Sequence, residues 1–395
     1  MAKKPAVPVQ ADDRAAAIES LIKGINSKAR GAVVVRGAEA VTSPWMYLRR
    51  PVGIPSLDIA LHGGVPAGGI SRWWGEKSSG KDMLFWNAVR QQQEIAGDSA
   101  AVAMADTDTG IDKTQARMLG VILPYSEIEI RKLEEAQGEA FSPELLADLC
   151  ARKGWFHEIS AENSEVLLDT VIMLIESGLY SLISVNSLGS LTSSNALEED
   201  TLGDNPRVGY DAMLKTRFIK KANHYLKSES KLGSLNTTHL WLIDQVRSKI
   251  GASQYEDPLK PTGGATVDHL IMLDVKVEAG AKIKEKVHGE DTIVGRKTRC
   301  LIRKQKSGAH EGISVSFNYY HPGTHRGAGV DVFEDLVACG IQHHLVNQAG
   351  PWLTYQDIKM QGVENFANHL RANPEQFTEM QRAVYKAAGI NCLYA

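Results

Sequence analysis

Four short runs, ISRWWG (70–75), AVAMAD (101–106), LISVNS (182–187) and HLWLID (239–244), are almost wholly apolar, with helical periodicity between them. A strand with one face in water alternates apolar and polar residues, so runs that are apolar on both faces must be covered on both faces. That requires a mostly parallel sheet between layers of helix, such as KDMLFWNAVRQQQEIA (81–96) and NSEVLLDTVIMLIES (163–177). HLIMLDVKV (269–277), TRCLIRK (298–304) and ISVSFNYY (313–320) follow with turns and no helix between them. They are expected to extend the sheet in antiparallel fashion.

The flanks differ from this body. ADDRAAAIESLIKGINSK (11–28) reads as an amphipathic helix and ARGAVVVRG (29–37) as a strand, an arm too small to fold alone. Residues 1–50 are therefore expected to dock on the body or on a neighbouring subunit. The core spans 51–325, with a charge-rich surface insertion at 122–154. From 326 short helices with Trp352, Tyr355 and Phe366 suggest a small separate α+β domain. The net charge is −3, so any nucleic-acid contact must come from a local patch. No apolar run approaches the roughly 18 residues of a membrane span, and the Lys-containing start is followed by charge, so a cytoplasmic location is expected. Four widely spaced cysteines, Cys150, Cys300, Cys339 and Cys392, imply neither disulfides nor zinc.

GEKSSGKD (75–82) joins the first apolar run to a helix with the G-x-x-x-x-G-K spacing of a phosphate-cradling loop. Gly75 and Gly80 permit the backbone to turn N–H groups inward, with Glu76, Lys77, Ser78 and Ser79 between them, and Lys81 brings an ammonium to the phosphates. A nucleoside triphosphate with Mg2+ is the expected ligand. The residue after the lysine, normally a Ser or Thr hydroxyl on the metal, is Asp82, whereas Asn186 ends the LISVNS strand where an acid is usual. The two departures cancel in formal charge, which suggests a metal ligand moved from 186 to 82.

In order along the chain, VGIPSLDIALHGGVPAGGI (52–70), ADTDTGIDKTQARMLGV (105–121), LIDQVRSKIG (242–251), PTGGA (261–265), RKQKSG (303–308) and NQAGPWLTYQDIKMQGVENFANHLRANPE (347–375) resemble the RecA family of ATP-dependent recombinases. The insertion and the divergence suggest a bacteriophage-type relative, which would work in the host cytoplasm. The resemblance implies a RecA-like P-loop core, binding of ATP, and filaments on single-stranded DNA that pair with homologous duplex DNA. It puts Asp108 in the place of the glutamate that activates the attacking water, one methylene shorter, so slow hydrolysis is expected. Asp112 matches the adenine-contacting aspartate, Gln115 stands where an aromatic residue stacks on the base, and Gln245 matches the glutamine that senses the γ-phosphate. Lys304 and Lys306 alternate on one strand and so face one side. Their family counterparts reach the neighbouring subunit's ATP.

Two polar loops are then expected to meet DNA. The first, 192–209, carries Arg207; the second, 247–265, carries Arg247, Lys249, Tyr255 and Lys260 and ends in Gly263 and Gly264, whose N–H groups suit a phosphate. Such contacts read backbone rather than sequence. Lys282, Lys284 and Lys286 form a further basic cluster that suits either duplex DNA or plain solvation. Two other readings remain open: a nucleotide-binding filament protein without strand exchange, motivated by Asp82, Asn186 and Asp108, and a helicase of the replicative type, disfavoured by the loops and by RKQKSG.

Overall fold

The structure, a computed structural model, describes residues 20, 22–23, 48–97, 100–107, 112–123, 125–151, 155–192, 194, 209–248, 259–262, 264–287, 289–306, 311–324, 327–390 and 393–394. Residues 1–43 and 44–395 are two compact units; in the first, only three helical residues are described. In the second, β1 (Leu48–Arg50), α1 (Pro55–Ala60) and β2 (Val65–Pro66) come first, with β1 and β2 antiparallel.

Strand and helix then alternate: β3 (Ile70–Gly75) and α2 (Lys81–Ala96); β4 (Ala101–Asp106) with α3 (Lys113–Met118), α4 (Glu127–Gln137) and α5 (Pro143–Ala151). Next come β5 (Trp155–Ile159) and α6 (Ser164–Ser177), β6 (Leu182–Asn186) and α7 (Tyr210–Leu226), and β7 (His239–Ser248). β8 (Leu259–Pro261) returns antiparallel along the end of β7, and α8 (Gly264–Leu270) leads to β9 (Leu273–Val287), β10 (Glu290–Gln305), β11 (Ser314–Tyr320) and β12 (Gly329–Val330). Across the sheet the order is β12-β11-β10-β9-β3-β7-β6-β4-β5. From β9 to β5 every pairing is parallel, and from β9 to β12 every pairing is antiparallel. The mostly parallel sheet with its antiparallel extension is the expected one.

Three details differ from the sequence reading. HLIMLDVKV is split, because His269 and Leu270 close α8 and the strand starts at Leu273. β9 itself runs parallel to β3 and turns the direction only toward β10. β5 was not expected: its His157 and Glu158 break the apolar pattern because it is the edge of the sheet. The 122–154 stretch is the crossover that reaches this edge, and it carries α4, opened by a Ser126–Glu129 capping box, and α5.

Alternation along the strands divides the core. Trp73, Trp241 and Ile243 pack with Leu84, Phe85 and Val89 of α2, whereas Ile70, Leu240 and Leu242 pack with Val171 and Ile175 of α6 and Phe218 of α7. Trp73 and Trp241 stack with ring centroids 4.2 Å apart and 2° between planes. Each such buried side chain contributes about 2 kcal/mol. Polar groups beneath them form a chain: Trp73 Nε1 donates to Ser71 Oγ (2.8 Å), the hydroxyl donates to His239 Nε2 (2.7 Å), and Nδ1–H donates to the Pro66 carbonyl (2.7 Å). Burial keeps His239 neutral by pushing its pKa down to about 3.

The C-terminal segment forms its own core around α9 (Val332–Gln342), a small antiparallel sheet of β13 (Asn347–Ala349), β14 (Trp352–Tyr355) and β15 (Ile358–Gln361), α10 (Val363–Ala372) and α11 (Pro374–Ala387). Tyr355 and Phe366 lie in that core; Trp352 stays 43% exposed, with the Lys359 ammonium 5.4 Å from its ring. Cys300 and Cys339 are free and buried. Among the described residues no helix is long and apolar enough to cross a membrane.

Asp58 of α1 ties the segment to the core. Its carboxylate accepts from the Val52 and Gly53 amides (2.7 and 2.9 Å) and from the Tyr385 hydroxyl (3.2 Å), while the Ser56 amide donates to Asp335 (2.7 Å). Burial outweighs those donors and raises Asp58 to about 7 and Asp335 to about 6. Between the ordinary Asp value near 4 and these values the folded chain keeps protons that the unfolded chain has lost, so stability falls as pH rises through that window. His239, held neutral, contributes the opposite slope below about 6.5, so the readout is a difference: from pH 4 to 8 denaturant midpoints are expected to fall more steeply, or rise less, in the wild type than in Asp58→Asn.

Candidate nucleotide site

β3 ends at Gly75, where a Cβ would stand 2.0 Å from the Val277 carbonyl oxygen of β9, so no larger residue fits. Gly80 takes φ 101°, the left-handed conformation that lets α2 start directly at Lys81. Lys81 Nζ donates to the carbonyls of Gly75 (3.1 Å) and Glu76 (2.8 Å), which holds the ammonium within the loop. The N-terminal end of the 16-residue α2 faces the same loop, so backbone N–H groups and a positive helix end converge there. Asp82 lies in the first turn, exposed.

Strand register brings the other groups to the same edge. Gly75 is opposite Gln245, Trp74 opposite Asp244, Ile243 opposite Asn186, and Asn186 opposite Asp106. This is the carboxyl edge of the parallel strands, where ligands of such sheets bind. Asn186 is two strands from β3, and its carbonyl accepts the Thr107 amide (2.6 Å). Asp106, beside it, was absent from the sequence candidates, although an acid closing an apolar strand was the available signal. Among the described residues no group of three His, Cys, Asp or Glu could hold a metal. Mg2+ does not require one, since it is usually held by one or two carboxylates plus substrate phosphates. Asp82, next to Lys81 in the first turn of α2, fits that sparse donor set.

A cavity of about 250 Å³ opens beside the loop, lined by Ser78, Gly80, Asp82, Met83, Gln115, Arg296, Thr298, Tyr319 and His321. Two expected residues, Asp82 and Gln115, thus meet at one site. Gln115 and Tyr319 line the cavity together, and Arg296 Nη1 donates to the Ser78 carbonyl (2.6 Å). Burial raises the Tyr319 pKa. Asp112 is the N-cap of α3, its Oδ1 accepting from the Gln115 amide (2.9 Å), so it positions Gln115 whatever else it contacts. Arg296 and Thr298 were missed because they lie in a polar stretch of β10 that carries no motif.

At the end of β7, Gln245 is exposed and its amide donates to Asp244 Oδ1 (2.9 Å). Asp244 is fully buried and also takes the Thr262 amide (2.7 Å) and hydroxyl (2.6 Å), which fastens the end of the second polar loop to the strand that carries Gln245. Burial raises the Asp244 pKa despite those donors. Arg72 of β3 extends the link with ion pairs to Asp268 of α8 (2.7 Å) and Asp274 of β9 (2.9 Å) and a bond to the Thr262 carbonyl (3.3 Å).

Lys304 and Lys306 do face one side. Among the described residues the acceptors they find are carbonyls at the C-terminal end of α8: Lys304 donates to the Asp268 carbonyl, and Lys306 to that of His269 (2.7 Å). A helix C-terminus carries partial negative charge, so these carbonyls take the place of an anion. Burial, then the Lys306 charge, lowers the Lys304 pKa.

Lys260 is exposed on β8, and Gly264 opens α8 at φ 73°. Asp108, Arg207, Lys249, Tyr255 and Gly263 lie outside the described residues, as does the side chain of Arg247. Lys282, Lys284 and Lys286 are exposed on one face of the β9–β10 ribbon.

These features define an α/β protein with a mostly parallel sheet and a C-terminal α+β segment, and comparison with known proteins agrees. Residues 159–319 match the family model of the RecA N-terminal domain and residues 334–389 that of the RecA C-terminal domain. Protein RecA of Streptomyces ambofaciens is 28% identical over 380 residues, covering 96% of this chain and 87% of that protein. Protein RecA of Pseudarthrobacter chlorophenolicus is 27% identical over 382 residues, covering 96% and 93%. The chain belongs to the RecA family, as a divergent member.

Gly75→Ala would force the Val277 backbone away and is expected to cost about 1–3 kcal/mol in denaturant unfolding. Gly97→Ala, where a Cβ would meet nothing within 4 Å but φ is 54°, tests conformational strain alone and is expected to cost about 1 kcal/mol.

Proposed function

We propose that this chain is an ATP-dependent recombinase that polymerises on single-stranded DNA and exchanges it with homologous duplex DNA. The observation that carries the reading is the bonded path from Gly75 through Gln245 and Asp244 to Thr262, which joins the phosphate loop to the end of the second polar loop. Lys81 and the N-terminal end of α2 would hold the phosphates, and Mg2+ at Asp82, with Asn186 across the cleft, would offset their charge and the charge of the leaving group. Asp108 is assigned to orient the attacking water. Arg207, Arg247, Lys249, Tyr255, Lys260, Gly263 and Gly264 are assigned to the DNA backbone.

Lys304 and Lys306 are assigned to a neighbouring protomer's triphosphate. A phosphate carries more charge than a helix end, so it would draw the two ammonium groups from the α8 carbonyls. Val166 and Met173, seven residues apart on α6 and 52% and 62% exposed, offer an apolar strip for the adjacent subunit's N-terminal segment. A bacteriophage-type relative acting in host cytoplasm is the setting proposed.

The second reading is a filament protein that binds nucleotide without turnover, and the pair Asp82 and Asn186 favours it. ATP hydrolysis with and without single-stranded DNA separates the two: the recombinase is expected to be stimulated about tenfold or more, the alternative not at all. Lys306→Ala is expected to leave ATP binding intact while lowering turnover per protomer, and dilution of the wild type to do the same. Turnover in isolated protomers would remove the role across the interface. DNA affinity is expected to fall steeply with salt, the log–log slope approaching about −0.7 per phosphate contacted.

A further inference from the structure

One residue of α8 joins β3 to the lysine pair of β10. Arg72, on β3 shortly before Gly75, is 2% exposed and pairs with the Asp268 carboxylate (2.7 Å). The guanidinium is itself anchored by Asp274 of β9 (2.9 Å) and by the Thr262 carbonyl (3.3 Å). A planar fork with fixed partners holds a carboxylate in one orientation. The backbone of the same Asp268 meets the lysines: its carbonyl accepts from Lys304, and the next one, that of His269, accepts from Lys306 (2.7 Å). The Asp268 charge also favours the Lys304 ammonium, against the burial and the Lys306 charge that disfavour it. The Asp268 side chain is 56% exposed, so the ion pair rather than packing fixes its place.

Resting on the assignment of Lys304 and Lys306 to a neighbouring protomer's triphosphate, we propose that Asp268 is a positioning residue that stows both lysines within the lone protomer and so sets how readily protomers associate. Ammonium groups satisfied inside their own chain must give up those carbonyls before they reach a phosphate on another chain, so each internal acceptor lowers the net gain of association. A lysine has a flexible four-carbon stem and three rotatable donors, so the exchange asks for rotation of side chains rather than movement of β10. Asp268 acts on the stow in three ways: through its own carbonyl, through the placement of the His269 carbonyl that follows it, and through its charge. Asp268→Asn removes the charge and the ion pair with Arg72 while keeping size and backbone. It therefore loosens the hold and releases the lysines to the neighbour, whereas a residue needed only for the fold of α8 would weaken association when changed.

The test is the protein concentration at which the full chain assembles with Mg2+ and a non-hydrolysable ATP analogue, followed by light scattering. Asp268→Asn is expected to lower the midpoint by about threefold, the scale of an ion pair with one exposed partner. Asp268→Glu, which keeps the charge, is expected to assemble like the wild type. In a chain that also carries Lys304→Ala and Lys306→Ala, Asp268→Asn is expected to change nothing, because there is no ammonium left to release. A midpoint in Asp268→Asn equal to or above that of the wild type, or a gain that survives the loss of both lysines, would overturn the proposal. The assignment beneath it has a separate control. If Lys304→Ala with Lys306→Ala assembles as readily as the wild type, the lysines take no part in association, and both that assignment and the stow are wrong. If that pair of changes raises the midpoint while Asp268→Asn leaves it unmoved, the assignment holds and the stow alone is wrong.

Discussion

The parallel pairing of β3 with β7 governs the placement of the whole candidate site. Six consecutive partners, from Ile70 opposite Leu240 to Gly75 opposite Gln245, set the start of the 75–82 loop beside Gln245. A slip of one residue would exchange the two faces, putting Trp73 and Trp241 on the side of α6 and α7 and Ile70 and Leu240 against α2. The stacked indoles, the Ser71–His239 chain beneath them and the absent Cβ of Gly75 all resist that slip. The same packing that stabilises the core therefore fixes the geometry of the site.

From that edge the structure runs outward through polar contacts. Asp244 bonds Thr262, Arg72 reaches α8 and β9, and Lys304 and Lys306 close the far end of α8. Both ends of this short helix are thereby tied to side chains whose neighbours line the nucleotide edge. A buried carboxylate with three donors holds only one arrangement well, so Asp244 fixes Thr262 relative to the end of β7.

Much of this was legible in the sequence. The four apolar runs identified the parallel strands because burial on both faces leaves no room for alternation, and GEKSSGKD identified the loop because its glycines have steric necessity. β5 was not legible, since an edge strand has no reason to be apolar throughout. Arg296, Thr298 and Tyr319 were not legible either: they reach the site from β10 and β11, more than 200 residues after the loop, through an antiparallel register that no local pattern reveals. Asp244 hid inside a motif where Gln245 drew attention, and its importance comes from Thr262, whose position depends on how β8 folds back. The lysine pair was read correctly in direction, but its carbonyl partners belong to a helix end that only the fold supplies.

The central claim is that nucleotide at the loop and DNA at the polar segments are coupled through the end of β7. The most direct measurement is the affinity of the full chain for single-stranded DNA with no nucleotide, with ADP and with a non-hydrolysable ATP analogue, repeated with Gln245→Ala. Tighter binding by about tenfold or more with the analogue, lost in Gln245→Ala although the analogue still binds, is the predicted result. Equal DNA affinity in all three nucleotide states would contradict it.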